Sequence, residues 1–260
     1  MNYRPEIDGL RAVAVLAVIG FHAGLTALPG GFIGVDVFFI ISGYLISSLI
    51  LEQKANQSFS LIHFYERRAR RILPALFTVL LCCIPLAWMW LLPADMKSFS
   101  QSLVAISIFA SNILFWRTSG YFDSASELKP LMHTWSLSVE EQFYLIFPAL
   151  ILLVWPLGKK WLLKILIILS LLSLGTAQIF IISEPSPTFY LLPTRAWELL
   201  LGGAVALTFP QIKIATLNKG MLFTHHSLAF IGLVLILYSL TQFSAITPGQ
   251  AYTVFCLLSA

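Results

Sequence analysis

Two ionisable residues, Arg11 and His22, lie within the first apolar stretch of the chain, Leu10–Leu28. Arg11 stands near its beginning, and a helical rise places the imidazole about 16 Å further along the axis. That depth is near the middle of a hydrocarbon layer about 30 Å thick. An ionisable group there is costly unless it faces protein or water, which makes it a candidate functional group. A catalytic histidine and a neutral histidine hydrogen-bonded inside a helix bundle account for this residue equally well.

Asp36 supplies a carboxylate near the start of the next apolar stretch, Phe32–Leu51, just after a Pro-Gly-Gly turn. A helical hairpin would place Asp36 and His22 at a similar depth. A carboxylate beside an imidazole fixes its tautomer and raises its basicity, so Asp36 is a candidate partner for His22. The alternative is that Asp36 lies in interfacial water beside the glycine-rich turn.

Positive charge is densest in a run of four arginines within five residues: Arg67, Arg68, Arg70 and Arg71. On a helix, three of them (Arg67, Arg70 and Arg71) share one face, with Arg68 beside it. Short basic segments stay in the cytoplasm, so one role is to anchor the topology. Guanidinium groups also pair with phosphates, which would suit a polyphosphate donor. No glycine-rich phosphate loop accompanies them, which argues against nucleoside triphosphate hydrolysis.

The segment that opens the fifth apolar stretch carries His133, Trp135, Glu140 and Glu141. Ser138 and Glu141 have the spacing of a helix capping box, which is a purely structural interpretation. Two adjacent acids exceed what a cap requires, so Glu140 and Glu141 are also candidates for catalysis. His133 and Trp135 are candidates for substrate binding.

The seventh apolar stretch carries Arg195, Trp197 and Glu198 near its start. Arg195 and Glu198 are three residues apart and can neutralise each other on one helix face. A structural ion pair and a role in substrate binding explain these residues equally well.

The elements that must position these groups are membrane helices. The chain is 58% hydrophobic and only 11% charged, against about 25% charged in ordinary soluble domains. We predict an all-α fold, a polytopic integral membrane helical bundle of about eight complete helices plus the start of another at Ala251–Ala260. The predicted stretches are Leu10–Leu28, Phe32–Leu51, Leu73–Leu92, Phe99–Trp116, Trp135–Trp155, Trp161–Ile182, Tyr190–Phe209 and Leu228–Phe243. Basic residues flank these helices, so nucleic-acid binding is not expected, and no metal-ligand spacing is present.

The fourth stretch, Phe99–Trp116, is the most polar and leaves the topology open. With the arginine segment inside, the N-terminus is also cytoplasmic. If the fourth stretch crosses the membrane fully, Lys159, Lys160 and Lys164 fall outside, against the charge rule. If it is re-entrant, they fall inside.

Several of these patterns, in this order, resemble the membrane acyltransferase-3 family. The resemblance rests on Tyr3–Ala12, the Arg11-to-His22 spacing, Gly34–Ile46, Phe64–Pro74 and His133–Tyr144. The family includes bacterial enzymes that O-acetylate lipopolysaccharide O-antigen and other surface glycans. It implies a multi-pass inner-membrane protein that takes an acyl group, expected to be acetyl, from cytoplasmic acyl-CoA. The acceptor is expected to be a hydroxyl of a lipid-linked or exported glycan.

The resemblance also implies roles for individual residues. Arg11 and His22 match the family's arginine–histidine pair, with His22 as catalytic base or acyl carrier. The arginine run is expected at the donor. Residues 1–260 are expected to form an incomplete acyltransferase domain that lacks the last helices and the extracytoplasmic SGNH-type domain of some members. The alternative is a transporter or flippase of an anionic or lipid-linked substrate, although no internal repeat supports it.

Overall fold

The computed structural model describes residues 4–118, 131–209 and 219–243, and every regular element within them is a helix. The α-helices are α1 (Pro5–His22), α2 (Gly34–Ala55), α3 (Leu61–Trp90), α4 (Pro93–Ser107), α5 (Ser111–Thr118), α6 (Thr134–Val154), α7 (Lys159–Phe180), α8 (Pro185–Tyr190), α9 (Leu192–Thr208) and α10 (Lys219–Gln242). Short 3-10 turns at Gly31–Ile33 and Trp155–Leu157 adjoin α2 and α6. The all-α prediction is therefore confirmed. The predicted helix start at Ala251–Ala260 lies outside the described residues.

Four described helical segments are long and apolar enough to cross a membrane. They are Gly31–Ala55, Leu61–Trp90, Thr134–Leu157 and Lys159–Phe180. Large apolar side chains on α3 and α7 are exposed, among them Leu81, Trp88, Leu171 and Ile179. Such surfaces are costly in water and favourable against lipid. The chain is accordingly a helical membrane protein.

Helix α1 differs from the predicted stretch Leu10–Leu28 at both ends. Gly24 adopts a φ of 74°, and the Leu25 N–H donates to the Gly20 carbonyl at 3.0 Å. This is a Schellman end, in which a left-handed glycine reverses the chain and satisfies the last carbonyls. The apolar residues that follow belong to the turn, so His22 is the last residue of the helix and not a mid-helix residue.

The antiparallel hairpin of α1 and α2 sets the depth of Asp36. Gly34 lies against the Ala14 backbone, and the Arg11 guanidinium lies 5.1 Å from the centre of the Phe38 ring. These two contacts place Asp36 beside the part of α1 between Arg11 and Ala14. That part of α1 is about 12 Å or more along the helix axis from His22. The expectation that Asp36 and His22 share a depth is wrong, because the turn that joins the helices is long.

One compact unit, here called unit 1, comprises Met1–Leu49, Leu153–Pro185 and Pro193–Ala260. Its apolar core contains Ala14, Ala17, Ile33, Val37, Ile41, Trp197, Ile236 and Leu240. Helices α2 and α9 cross closely at Gly43 and Gly202, where a Cβ on either glycine would collide with the backbone of the other helix. Small residues at such crossings allow membrane helices to approach closely.

The second unit, unit 2, comprises Ile50–Leu152 and Ser186–Leu192. Its core contains Leu76, Leu80, Ala87, Phe99, Ile106 and Leu131. Helix α3 begins after the Ser60 cap and continues through Pro74. The arginine run therefore belongs to the same helix as the predicted third stretch, Leu73–Leu92.

The predicted fourth stretch, Phe99–Trp116, is interrupted. Phe109 has a φ of 53°, and the Ala110 N–H donates to the Ala105 carbonyl at 2.7 Å, which ends α4 in a Schellman turn. Gln142 Nε2 on α6 donates to the Phe109 carbonyl at 2.8 Å. This bond satisfies a backbone group at the break, as non-helical backbone at membrane depth requires.

The α2–α9 crossing gives a direct test of this packing. Gly43→Ala and Gly202→Ala should each destabilise the folded chain by about 1–3 kcal/mol, because the added methyl group meets backbone atoms of the opposite helix. The measurement is the apparent Tm of the purified chain in detergent. Gly175→Ala on α7 is the matched control, since a Cβ there has no neighbour within 4 Å. An equal effect at all three positions would contradict the close crossing.

Candidate active site

The interior of unit 1 holds one arginine between two carboxylates. Arg195 Nη1 donates to Asp36 Oδ1 at 2.5 Å and to Glu198 Oε1 at 2.9 Å. The three residues are only 5%, 1% and 0% exposed, respectively. The predicted pairing of Arg195 with Glu198 is confirmed. Asp36 is not in interfacial water, and the partner that the structure gives it is Arg195, which lies far along the sequence.

A serine hydroxyl from α7 shapes the turn of α9 that carries Arg195. Ser173 Oγ donates to the Pro193 carbonyl at 2.6 Å and accepts from the Trp197 N–H at 3.0 Å. An uninterrupted helix would pair that carbonyl with that N–H. A side chain inserted into the helical ladder bends it. Ser173 thus helps to orient the turn from which Arg195 and Glu198 project.

His22 occupies the exposed end of α1. Its Nδ1 lies 2.8 Å from the Val18 carbonyl oxygen, and its ring meets Phe21 edge-on with centroids 5.2 Å apart. Arg11 is half-buried on the same helix and lies 3.8 Å from Asp8. Eleven residues make about three helical turns, so Arg11 and His22 share a face of α1.

Unit 2 contains a second, partly buried charged cluster between α3 and α6. Arg68 Nη2 donates to Glu141 Oε1 at 2.6 Å, and the guanidinium lies 3.9 Å from the centre of the Tyr144 ring. The Tyr144 hydroxyl in turn donates to Glu140 Oε1. Tyr65 donates to the Leu145 carbonyl at 2.7 Å and adds a further bond between the two helices. Of the two predicted acids of α6, Glu141 therefore pairs with one arginine of the predicted run, and Glu140 is linked to that arginine through Tyr144.

The other three arginines of the run are exposed. Arg67 donates to Gln53 Oε1 at 3.2 Å, and Arg70 lies 2.6 Å from Glu66. Arg71 completes this outward face. The prediction that Arg67, Arg70 and Arg71 share a face is confirmed, and Arg68 turns inward beside it.

The capping box predicted at Ser138 and Glu141 is wrong. Helix α6 begins at Thr134, so Ser138 is already inside the helix. Its hydroxyl lies 2.7 Å from the Ser111 hydroxyl of α5. Glu141 pairs with Arg68 instead of a backbone N–H, so its position reflects tertiary contacts and not a helix start.

The predicted substrate-binding residues lie in different environments. His133 is exposed immediately before α6. Trp135 is buried, with its ring centroid 4.6 Å from that of Phe189, and Trp197 belongs to the core of unit 1. Both tryptophans therefore contribute packing. Sequence reasoning missed Ser173, whose only signal was that it lies with Ser170 on the buried face of a largely apolar helix.

Residues 4–260 match the family described as the acyltransferase domain, and the chain belongs to that family. Its relatives include the peptidoglycan O-acetyltransferase OatA of Listeria monocytogenes, 43% identical over 80% of this chain and 34% of that protein. The putative peptidoglycan O-acetyltransferase YrhL of Bacillus subtilis is 37% identical over 91% of this chain and 39% of that protein. The O-acetyltransferase OatA of Staphylococcus aureus is 38% identical over 82% of this chain and 36% of that protein.

The chain thus spans between a third and two fifths of the length of these relatives. No solved structure matches it.

Ser173→Ala tests whether the serine hydroxyl stabilises the first turn of α9. The change removes the partner of both the Pro193 carbonyl and the Trp197 N–H, so we expect a loss of about 1–3 kcal/mol in unfolding free energy. Thermal unfolding in detergent measures it. Thr176→Val is the control, because that hydroxyl donates only to the Leu172 carbonyl of its own helix. If Ser173→Ala is as mild as Thr176→Val, the serine does not support the α9 turn.

Proposed function

We propose that the chain is the membrane domain of an O-acetyltransferase that transfers an acetyl group from acetyl-CoA to a hydroxyl of a cell-wall glycan. The observation that carries this proposal is the exposed imidazole at the end of α1, in a chain whose relatives are named O-acetyltransferases. Two of those relatives are named for peptidoglycan. We therefore propose peptidoglycan as the acceptor in preference to lipopolysaccharide.

His22 is the proposed general base. A carbonyl oxygen only accepts hydrogen bonds, so the contact with the Val18 carbonyl places the proton of the neutral ring on Nδ1. The lone pair is then on Nε2. Because the ring is at an exposed helix end, Nε2 is the nitrogen suited to remove a proton from a hydroxyl.

In the proposed reaction, the glycan hydroxyl oxygen attacks the carbonyl carbon of the thioester. The new C–O bond forms, the C–S bond breaks, and the hydroxyl proton passes to Nε2 of His22. That proton is then delivered to the departing thiolate, so CoA leaves as a thiol. Each proton and bond is accounted for without a metal ion or a redox cofactor.

The exposed arginine face is the proposed donor site. Arg67, Arg70 and Arg71 present guanidinium groups outward on α3, and guanidinium pairs phosphate oxygens in a fixed fork geometry. The nucleotide part of acyl-CoA carries several phosphates. Arg68 is committed to Glu141, so we assign it a structural role in holding α3 against α6.

The orientation proposed for this reaction follows from charge. The basic face of α3 is placed in the cytoplasm of the bacterial plasma membrane, and so is the N-terminus, two crossings earlier. Helix α1 has 18 residues, or about 27 Å, close to the thickness of the hydrocarbon layer. His22 is then on the extracytoplasmic side, where an exported glycan is available.

Replacement of the proposed base tests the function. In cells, His22→Ala protein should accumulate in membranes to normal levels, while O-acetylation of wall glycans falls to the level of cells lacking the gene. Mass spectrometry of released glycan fragments detects each acetyl group. His63→Ala is the matched control, since His63 is an exposed histidine on α3 that pairs with Glu66 at 3.2 Å. Acetylation that persists in the His22→Ala cells would refute the assigned base.

The donor site is tested by changing the three exposed arginines to glutamine together. The KM for acetyl-CoA should rise about tenfold or more, because charge-assisted hydrogen bonds to phosphate are lost. The KM for acetyl-pantetheine, which lacks the nucleotide phosphates, should stay unchanged in membranes containing the variant. Lys159→Gln with Lys160→Gln on α7 is the control. Equal KM changes for both donors would show that the arginines do not bind the nucleotide.

A further inference from the structure

Two carboxyl groups in the interior of unit 1 share a single guanidinium nitrogen. Asp36 Oδ1 and Glu198 Oε1 both accept from Arg195 Nη1, so the two carboxyl groups are held close together at one nitrogen. Two ionised carboxylates have no donor between them. Two like charges held this close disfavour each other, and a proton on one of the two carboxyl groups removes that repulsion.

Glu198 provides a second, independent sign of that proton. The residue is fully buried, and its Oε2 atom has no hydrogen-bond partner in the described part of the chain. An ionised carboxylate oxygen without a donor in an apolar interior costs the full desolvation penalty. A neutral acid group lowers that cost and can itself donate.

The count of charges points the same way. Within the described residues, Arg195 is the one cation within salt-bridge distance of either carboxylate. Arg11 on the adjacent α1 lies by Asp8 and over the Phe38 ring, and Arg4 binds Glu6 and the Tyr44 hydroxyl. Two ionised acids would therefore leave a net negative charge buried among apolar side chains, which is strongly unfavourable.

We propose that Asp36 and Glu198 together bind one exchangeable proton beside Arg195, which makes this cluster a neutral, proton-binding site at membrane depth. The proposal goes beyond acetyl transfer and does not depend on it. Glu198 is the residue that carries the proton, because its Oε2 is the orphaned atom. Asp36 keeps its charge and forms the short ion pair with Arg195.

Infrared spectroscopy of the purified chain in lipid nanodiscs tests the proposal. At neutral pH the unchanged chain should show the C=O stretch of a buried carboxylic acid, shifted on transfer to heavy water. Glu198→Gln should remove that band. Asp36→Asn should remove it too, because the remaining glutamate then ionises to pair with Arg195. Glu184→Gln, a change at an exposed glutamate, should leave it intact. A spectrum that is the same in the chain with and without Glu198→Gln would overturn the proposal.

The half-life of the folded chain provides a second readout, because it depends on how many charged acids remain beside Arg195. Glu198→Gln and Asp36→Asn each leave one acid with Arg195, so the half-life of the folded chain at elevated temperature should stay close to that of the unchanged chain. The double variant removes both acids that pair with Arg195, and its half-life should be at least about tenfold shorter. Two outcomes would count against a bound proton. One is a pronounced stabilisation by both single changes, expected if both acids were ionised. The other is a half-life that is as short in the single variants as in the double variant.

Discussion

A guanidinium group in an apolar interior must be matched by nearby acceptors, and Arg195 sets that requirement for unit 1. Its two carboxylate partners come from α2 and from the next turn of α9. Both helices must therefore approach closely, which Gly43 and Gly202 permit. The α9 turn must also be oriented, which the Ser173 hydroxyl assists. The two glycines and the serine lie far apart in the sequence, but all three help to bring acceptors to the buried charge of Arg195.

In unit 2, the partly buried Arg68 also needs partners for its charge, and an aromatic ring supplies one of them. Arg68 is matched by Glu141 and by the face of the Tyr144 ring, whose hydroxyl binds Glu140. An aromatic face stabilises a cation without adding another charge. The neighbouring arginines remain exposed and need no internal partner. Within a single run of arginines, one residue thus holds two helices together and the other three are exposed at the surface of α3.

Local patterns in the sequence were enough to predict the apolar helices, the Arg195–Glu198 pair and the shared face of three arginines, because each depends on helical periodicity alone. The end of α1 at His22 was missed because the left-handed turn at Gly24 overrides the apolar run that continues past it. The partner of Asp36 lies 159 residues away, and periodicity contains no information about such contacts. Ser173 was missed for the same reason, since its hydroxyl acts on another helix.

The central proposal is that an acetyl group passes from acetyl-CoA, bound by the arginine face of α3, to a glycan hydroxyl with His22 as the base. Proteoliposomes containing the chain, with radiolabelled acetyl-CoA outside and a peptidoglycan oligosaccharide inside, test it most directly. Vesicles in which the arginine face is outside should accumulate label as an O-acetyl ester on the enclosed glycan, and His22→Ala vesicles should not. Label that enters the vesicles without becoming attached to glycan would indicate transport, and would contradict the claim.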